Sequence, residues 1–210
     1  MKLLVLGARG RTGSELVLQA LAQHHDVTGV TRDAGQVKER REGLRWVFGD
    51  STDRAFLQSA VQAQDAVLCA IGPTSPLELA ATKLMRQTAA PLIDAMDTAG
   101  VKRLVMLSAL GAGRSAAVAP PVIRLTFRTL LRGVGGDKAA AEEMINRSDL
   151  DYLLVYPPSL TKGPRTGSYR HDSELRLRGI PKVSRADVAE FMLAEAVTPT
   201  YHRQSAIIGQ

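Results

Sequence analysis

The residues best suited to chemistry lie near the start of the chain, in the run Gly7-Ala8-Arg9-Gly10-Arg11-Thr12-Gly13. An apolar stretch, Leu3-Leu4-Val5-Leu6, leads directly into it, and a helical pattern follows. In that context each glycine has a separate task. Gly7 permits a tight turn, Gly10 lets the backbone approach a pyrophosphate, and Gly13 lets the helix pack closely on the sheet. The free N–H groups of the helix's first turn, aided by the helix dipole, then face the phosphates. Arg9, Arg11 and Thr12 add side-chain donors. The chemistry expected of this turn is therefore the binding of a dinucleotide.

A second cluster identifies the dinucleotide's ribose. About 20 residues past such a turn, NAD proteins place an acid on the ribose hydroxyl, and NADP proteins place an arginine near the 2′-phosphate. Here the second apolar run ends Val30-Thr31-Arg32-Asp33. Arg32 comes first after the strand and can stack on adenine while pairing with the 2′-phosphate, which favours NADP(H). Asp33 is the competing acid. Ligands in such sheets bind beyond the carboxyl ends of the strands, so two further strand ends are expected to line the cofactor. In Gly49-Asp50-Ser51, Asp50 can accept from the adenine amine or can instead cap the next helix. In Ala70-Ile71-Gly72-Pro73, a small residue and a glycine bring the backbone close to the ribose.

Other chemistries are disfavoured. The single cysteine, Cys69, permits no intrachain disulfide, fits a reducing compartment, and reads as a buried strand residue within Val67-Leu68-Cys69-Ala70-Ile71. His24, His25, His171 and His202 have no metal-ligand spacing, so no metal site is expected. The formal charge of +6 is spread along a chain with only 4% aromatics. That pattern argues against nucleic-acid binding and suits a basic site mouth that attracts anions. No apolar run is long enough to span a bilayer. Met1-Lys2-Leu3-Leu4-Val5-Leu6-Gly7 stops too soon for a signal peptide, so a cytoplasmic protein is expected.

These residues need a scaffold. Strands are predicted at Lys2–Leu6, Asp26–Thr31, Leu44–Phe48, Ala66–Ala70, Arg103–Ser108, Tyr152–Tyr156 and near Ser205–Ile208. Several are apolar throughout, as in a parallel sheet covered on both faces. Helices are predicted at Thr12–Gln23, Asp53–Ala60, Leu77–Ala99 (opened by Ser75-Pro76 and ended by Gly100), Asp137–Arg147 and Arg185–Ala196, the last capped by Ser184. The alternation gives βαβ units in an α/β, doubly wound, mostly parallel Rossmann fold, one domain over residues 1–210. Gly111–Gly136 is less regular. Pro120-Pro121, an amphipathic stretch from Val122 to Arg132 and Gly133-Val134-Gly135-Gly136 suit either a lid with glycine hinges or an ordinary surface helix with a loose exit. Arg124, Arg128 and Arg132 fall on one helical face there, either to meet an anionic substrate or as a solvated face.

The Gly-x-x-Gly-x-x-Gly spacing resembles that of the extended and atypical short-chain dehydrogenase/reductases. The later motifs narrow the resemblance: Leu104-Val105-Met106-Leu107-Ser108, Asp137-Lys138-Ala139-Ala140-Ala141-Glu142, Tyr156-Pro157-Pro158-Ser159-Leu160, Thr166-Gly167-Ser168-Tyr169 and Ser184-Arg185-Ala186-Asp187-Val188-Ala189. Together they resemble the small NAD(P)H-binding, NmrA-like group that contains flavin reductase/biliverdin-IXβ reductase. The resemblance implies hydride transfer from NADPH to a flavin, quinone or linear tetrapyrrole in an open cleft, by a monomer or weak homodimer. By position it implies Ser108 beside the nicotinamide and substrate. It also implies Pro158, Ser159 and Leu160 at the carboxamide end, and Lys138 where a histidine or the superfamily's lysine lies.

Several departures matter. The superfamily's Tyr-x-x-x-Lys pair would put its tyrosine at position 134, which is Val134. A positioned general acid contributes roughly 10²–10⁴-fold, so ketone and alcohol chemistry is disfavoured, whereas flavins and quinones can take a proton from water. Tyr156 and Tyr169 are candidate stand-ins, Tyr156 reading mainly as strand packing. Lys138 has a solvated helix position as its alternative reading. Ala34-Gly35-Gln36 offers no second arginine near the adenine phosphate, and Ser159 stands where the closer group has a histidine. The main rival to a reductase is a non-catalytic NADP(H)-binding redox sensor. A nucleotide-sugar epimerase or dehydratase is disfavoured, since it wants the tyrosine and a larger C-terminal substrate region.

Overall fold

The computed structural model describes residues 1–33, 35, 41–73 and 82–210. Along the chain these form β1 (Lys2–Leu6), α1 (Gly13–Ala22), β2 (Asp26–Thr31), β3 (Leu44–Phe48), α2 (Arg54–Val61), β4 (Ala66–Cys69), α3 (Leu84–Ala99) and β5 (Arg103–Leu107). A 3₁₀ turn (Gly113–Ala117) follows, then α4 (Pro121–Arg128), α5 (Arg132–Arg147), β6 (Asp151–Tyr156), β7 (Ser159–Thr161), β8 (Arg170–Asp172), β9 (Lys182–Ser184), α6 (Arg185–Val197) and β10 (Gln204–Gly209). The main sheet runs β3-β2-β1-β4-β5-β6-β10-β8. Its strands are parallel except β8, which pairs antiparallel to β10. β7 and β9 form a separate parallel pair. This α/β doubly wound order reverses direction between β1 and β4, the crevice where Rossmann sheets bind dinucleotides.

Strand periodicity explains why the runs are apolar throughout. Leu4 and Leu6 of β1, with Val67, Leu104, Met106 and Leu154, pack one face of the sheet beneath α2, α3 and α5. Leu3 and Val5, with Leu68, Val105, Leu153 and Val155, pack the opposite face beneath α1 and α6. Alternate residues of one strand thus belong to two different cores. Helix ends follow local chemistry. Asp53 caps α2 by accepting from the N–H groups of Ala55 (2.9 Å) and Phe56 (3.3 Å), and Gly100, at φ +72°, closes α3. Among the described residues no helix is long and apolar enough to cross a membrane.

The differences from the sequence expectation are local. Strand bounds at β4, β5, β6 and β10 shift by a residue, and Thr12 flanks α1 instead of entering it. The start expected for the third helix, Ser75-Pro76 and Leu77 to Ala81, lies outside the described residues, as do Ala34 and Gln36. The segment between Gly111 and Gly136 corrects two expectations. α5 begins at Arg132, so Gly133, Gly135 and Gly136 are helical and not hinges. α4 ends at Arg128, and Thr129 leaves helical geometry at ψ −85°, so Arg124, Arg128 and Arg132 do not share one helix. A Cβ on Gly135 would stand 3.1 Å from the Phe127 ring. The glycine there lets α4 and α5 approach each other.

Candidate functional site

The carboxyl ends of β3, β2, β1 and β4, neighbours in the sheet, open on a cleft of about 430 Å³. Gly7, Arg9 and Gly10 line it after β1, Val30 to Asp33 at and beyond the end of β2, Gly49 and Ser51 after β3, and Ala70, Ile71 and Gly72 after β4. The glycine turn is closely built. At φ +75°, a Cβ on Gly7 would lie 2.8 Å from the Ala70 carbonyl oxygen, and one on Gly13 would lie 2.0 Å from the Gly7 oxygen. The turn closes through a bond from the Gly10 N–H to the Gly7 carbonyl, 2.8 Å, and continues from the Ser14 N–H to the Gly10 carbonyl, 2.8 Å. Thr12 is buried yet makes no capping bond. Among the described residues the N–H groups of Arg11, Thr12 and Gly13 have no backbone acceptor. Open donors at a dipole's positive end, beside a cleft that glycines keep clear, fit a pyrophosphate.

At the ribose side, Arg32 and Asp33 are both exposed and both line the cleft. Asp33 is partly committed, its Oδ1 accepting from the Gly35 N–H at 2.9 Å. Asp50 folds back on its own turn, accepting from the Thr52 N–H and hydroxyl at 2.9 Å each. The Thr52 N–H holds its carboxyl below the usual range, aided by the Thr52 hydroxyl and the neighbouring Arg32 charge. Since Asp53 makes the cap of α2, Asp50 is a turn residue facing Arg32, and it is not among the residues lining the cleft. Ser51 does line it and receives a hydrogen bond from the buried Thr88 hydroxyl, 3.3 Å.

Ser108, Lys138, Pro158, Ser159 and Leu160 sit beyond β5 and β6 and do not line the cleft. Ser159 is exposed and Leu160 half-buried, in β7 paired with β9; Pro158 is buried. Ser108 is 5% exposed, and its hydroxyl is hydrogen-bonded to Glu142 Oε1. Glu142 Oε2 accepts from the Tyr156 hydroxyl at 2.9 Å. Burial pushes Glu142 above the usual carboxylate range, against the pull of its two hydroxyl partners and of Lys138. Burial and the adjacent Glu142 drive the Tyr156 phenol far up. Lys138 is not solvated: it is buried, its Nζ donates to the Leu107 carbonyl at 3.1 Å, and burial lowers its pKa. Cys69 is fully buried, and burial pushes its thiol up to about 11.

Glu142 stands in a motif already conspicuous in the sequence, yet its type suggests a solvated helix residue. Its position was the available signal. Val134, Lys138, Ala141, Glu142 and Ile145 make one buried stripe on α5, so two charged residues occupy an apolar face. Asp137 is another buried charge. It caps α3 from a distance, accepting from the N–H groups of Met85 (2.9 Å) and Arg86 (3.1 Å). The Thr166-Gly167 and Ser184-to-Asp187 motifs prove to be one unit. Asp187 accepts from the N–H groups of Thr166 and Gly167 and from the Thr166 and Ser184 hydroxyls. Arg185, donating to the Thr161 carbonyl, brings a second guanidinium near Arg11, which together with burial lowers its pKa.

Comparison with known proteins agrees with this geometry. The chain is 31% identical over 194 residues to a 3-diazoavenalumate denitrifying reductase of a Streptomyces species, covering 85% of this chain. It spans 62% of the length of two curated relatives, that one included. ChuY, an anaerobillin reductase from Escherichia coli O157:H7, superposes with a TM-score of 0.81 over 99% of this chain and 96% of its own, at 25% identity. A wide-type short-chain dehydrogenase/reductase from Veillonella parvula, solved with NADP, shares the fold at a TM-score of 0.83 and 18% identity, covering 100% and 94% of the two chains. A family model described as NAD(P)H-binding matches residues 7–199, and the chain belongs to that family.

Proposed function

We propose that the chain is an NADPH-dependent reductase that passes hydride to a flat conjugated acceptor, a flavin, quinone or tetrapyrrole. The observation that carries the reading is the row of N–H groups without a backbone acceptor at Arg11, Thr12 and Gly13, in the turn whose Gly7, Arg9 and Gly10 line the cleft together with Arg32. The turn holds the pyrophosphate, and Arg32 selects the 2′-phosphate, with Asp33 drawn into its own loop. Bound NADPH supplies the hydride. Ser108, at the end of β5, stands at the nicotinamide end with Pro158, Ser159 and Leu160 as the facing wall. Lys138 fixes the end of β5 through the Leu107 carbonyl. Two relatives named as reductases, the Streptomyces protein and ChuY, support hydride chemistry over binding alone.

Val134 in place of a tyrosine keeps a second reading in view, a non-catalytic NADP(H) sensor. One assay separates the two: NADPH absorbance is followed with FMN, riboflavin, menadione and biliverdin as acceptors, alongside a direct measurement of NADPH affinity. The reductase reading expects turnover of at least one acceptor. Tight NADPH binding with no turnover across the panel would replace it with the sensor.

A further inference from the structure

We propose that Glu142 is a positioning residue held as a neutral carboxylic acid, donating its proton to Ser108 Oγ and so freeing the Ser108 hydroxyl proton for a group bound beyond β5. This rests on the reductase reading only for the identity of that group.

Hydrogen-bond valence separates the two protonation states. Glu142 Oε2 already accepts from the Tyr156 hydroxyl at 2.9 Å, and Oε1 meets Ser108 Oγ. Were the carboxyl ionised, it would accept from both hydroxyls, and the single proton of Ser108 would point inward. With the proton on Oε1, the carboxyl donates to Ser108, whose own proton can turn outward. The states differ by one proton, taken up by the carboxyl from solvent, and by the rotation of the Ser108 hydroxyl.

The surroundings favour the neutral form. Glu142 is 3% exposed and Tyr156 2%, and an unpaired buried carboxylate is costly. A Cβ on Gly113 would meet Glu142 Oε2 at 1.8 Å, so the 3₁₀ turn lies directly against the carboxyl. The charged and titratable groups that face it are few. Lys138, on the same helix, directs its Nζ to the Leu107 carbonyl, with Cys69 beside it. Arg114, exposed on the 3₁₀ turn, brings its backbone N–H to the carboxyl, a donor that burial opposes, and Tyr156 bonds the carboxyl from β6. Ser108 is the hydroxyl that closes the set toward the end of β5.

In turnover the acceptor gains a hydride from bound NADPH and the proton of Ser108 Oγ. The O–H bond of Ser108 breaks as the Glu142 proton moves to Oγ, and water returns a proton to the pair. The sum is NADPH plus acceptor plus a proton, giving NADP⁺ and the dihydro acceptor.

Infrared difference spectroscopy of the cofactor-free protein over a pH series tests the protonation directly. A carboxylic-acid C=O band should persist above the ordinary glutamate range, vanish in Glu142→Gln and shift in Ser108→Ala. Tyr156→Phe removes one hydrogen bond and leaves a side chain of nearly the same shape. It should preserve the band and move its loss to higher pH. With menadione as acceptor, Glu142→Gln should lower kcat about a hundredfold with NADPH affinity unchanged. It should also flatten the alkaline fall in kcat, and Glu142→Asp should restore part of it. Absence of the band at neutral pH, in a wild-type protein of normal thermal stability, overturns the proposal. So does a Glu142→Gln enzyme with the wild-type pH profile. If wild type turns over no acceptor but the band behaves as stated, the reductase reading fails and the Glu142–Ser108 assignment stands.

Discussion

The glycine turn can be tested by a contrast between two substitutions three residues apart. In Gly10→Ala, the new methyl would have the Gly7 carbonyl oxygen at 3.1 Å and the Ala70 oxygen at 3.9 Å, with no other atom within 4 Å among the described residues, its chain neighbours aside. Gly10 does not have a positive φ, so alanine suits its backbone. A shift of a few tenths of an ångström absorbs the 3.1 Å contact, and the lost unfolded-state freedom offsets its cost, so stability should change by less than about 1 kcal/mol. The methyl nevertheless stands in the cleft where the pyrophosphate must approach the backbone. Displacing one charge-assisted hydrogen bond there costs about 1.5–3 kcal/mol, or about 10- to 100-fold in NADPH affinity. Gly13→Ala acts the other way round. Its methyl would lie 2.0 Å from the Gly7 oxygen, a backbone atom that cannot rotate aside, so α1 must move off the turn. Overpacking of this kind costs about 1–3 kcal/mol or more, lowering Tm by about 2–12 °C in a chain of this size. NADPH fluorescence titration and thermal melts of both variants decide the matter. Wild-type NADPH affinity in Gly10→Ala would refute the pyrophosphate assignment, and an unchanged melt in Gly13→Ala would refute the packing argument.

Arg32→Asp should reverse the NADPH-over-NADH affinity ratio, a swing of at least about tenfold for the loss of one charge-assisted contact; an unmoved ratio removes Arg32 from the 2′-phosphate site. Asp187→Ala should cost about 2–4 kcal/mol in urea unfolding, since the Thr166 and Gly167 N–H groups (2.6 and 3.0 Å) and the Thr166 and Ser184 hydroxyls (2.9 and 2.8 Å) lose a common acceptor. Burial opposes the charge of Asp187, but those donors outweigh it and hold its pKa below the ordinary value. Its contribution is therefore complete above the ordinary aspartate range and fades as pH falls through the depressed value. Asp187→Asn should flatten that acid limb of the stability curve, and an unchanged limb would mean that other carboxylates set it.

The cleft at the ends of β1 to β4 was legible because its signals are short-range. A glycine turn, an arginine after β2 and a small residue after β4 are read from neighbours in sequence, and the buried strands between them are apolar on both faces. What escaped depends on partners far along the chain. β7, β8 and β9 are three residues each, and Arg170-His171-Asp172 is exposed throughout, so no periodicity marks them. The start of α5 was hidden by glycines whose task is tertiary, the close passage of Phe127. Asp137 caps a helix that begins more than fifty residues earlier. Asp187 joins two motifs that look independent until Thr166 and Gly167 are seen to donate to it. Glu142 lies in a recognisable motif, yet a glutamate in a helix reads by type as solvated, so its burial against Ser108 and Tyr156 has no local signal.

Position 134 on α5, where the resemblance would put a phenol, is a valine 6% exposed. Three hydroxyl- and carboxyl-bearing side chains lie instead at the ends of β5 and β6 and about two turns further along α5. Ser108 continues the β5 backbone, its N–H bonded to the Val155 carbonyl at 2.8 Å, so its hydroxyl is fixed by the sheet. Tyr156 ends β6 and Glu142 joins the two. On the reductase reading, proton supply has moved from a helix side chain to a pair of strand ends backed by a buried acid. Such a site protonates only what lies directly over Ser108. On that reading the geometry suits a flat acceptor lying against the carboxyl ends of β5 and β6 better than a carbonyl held away from them.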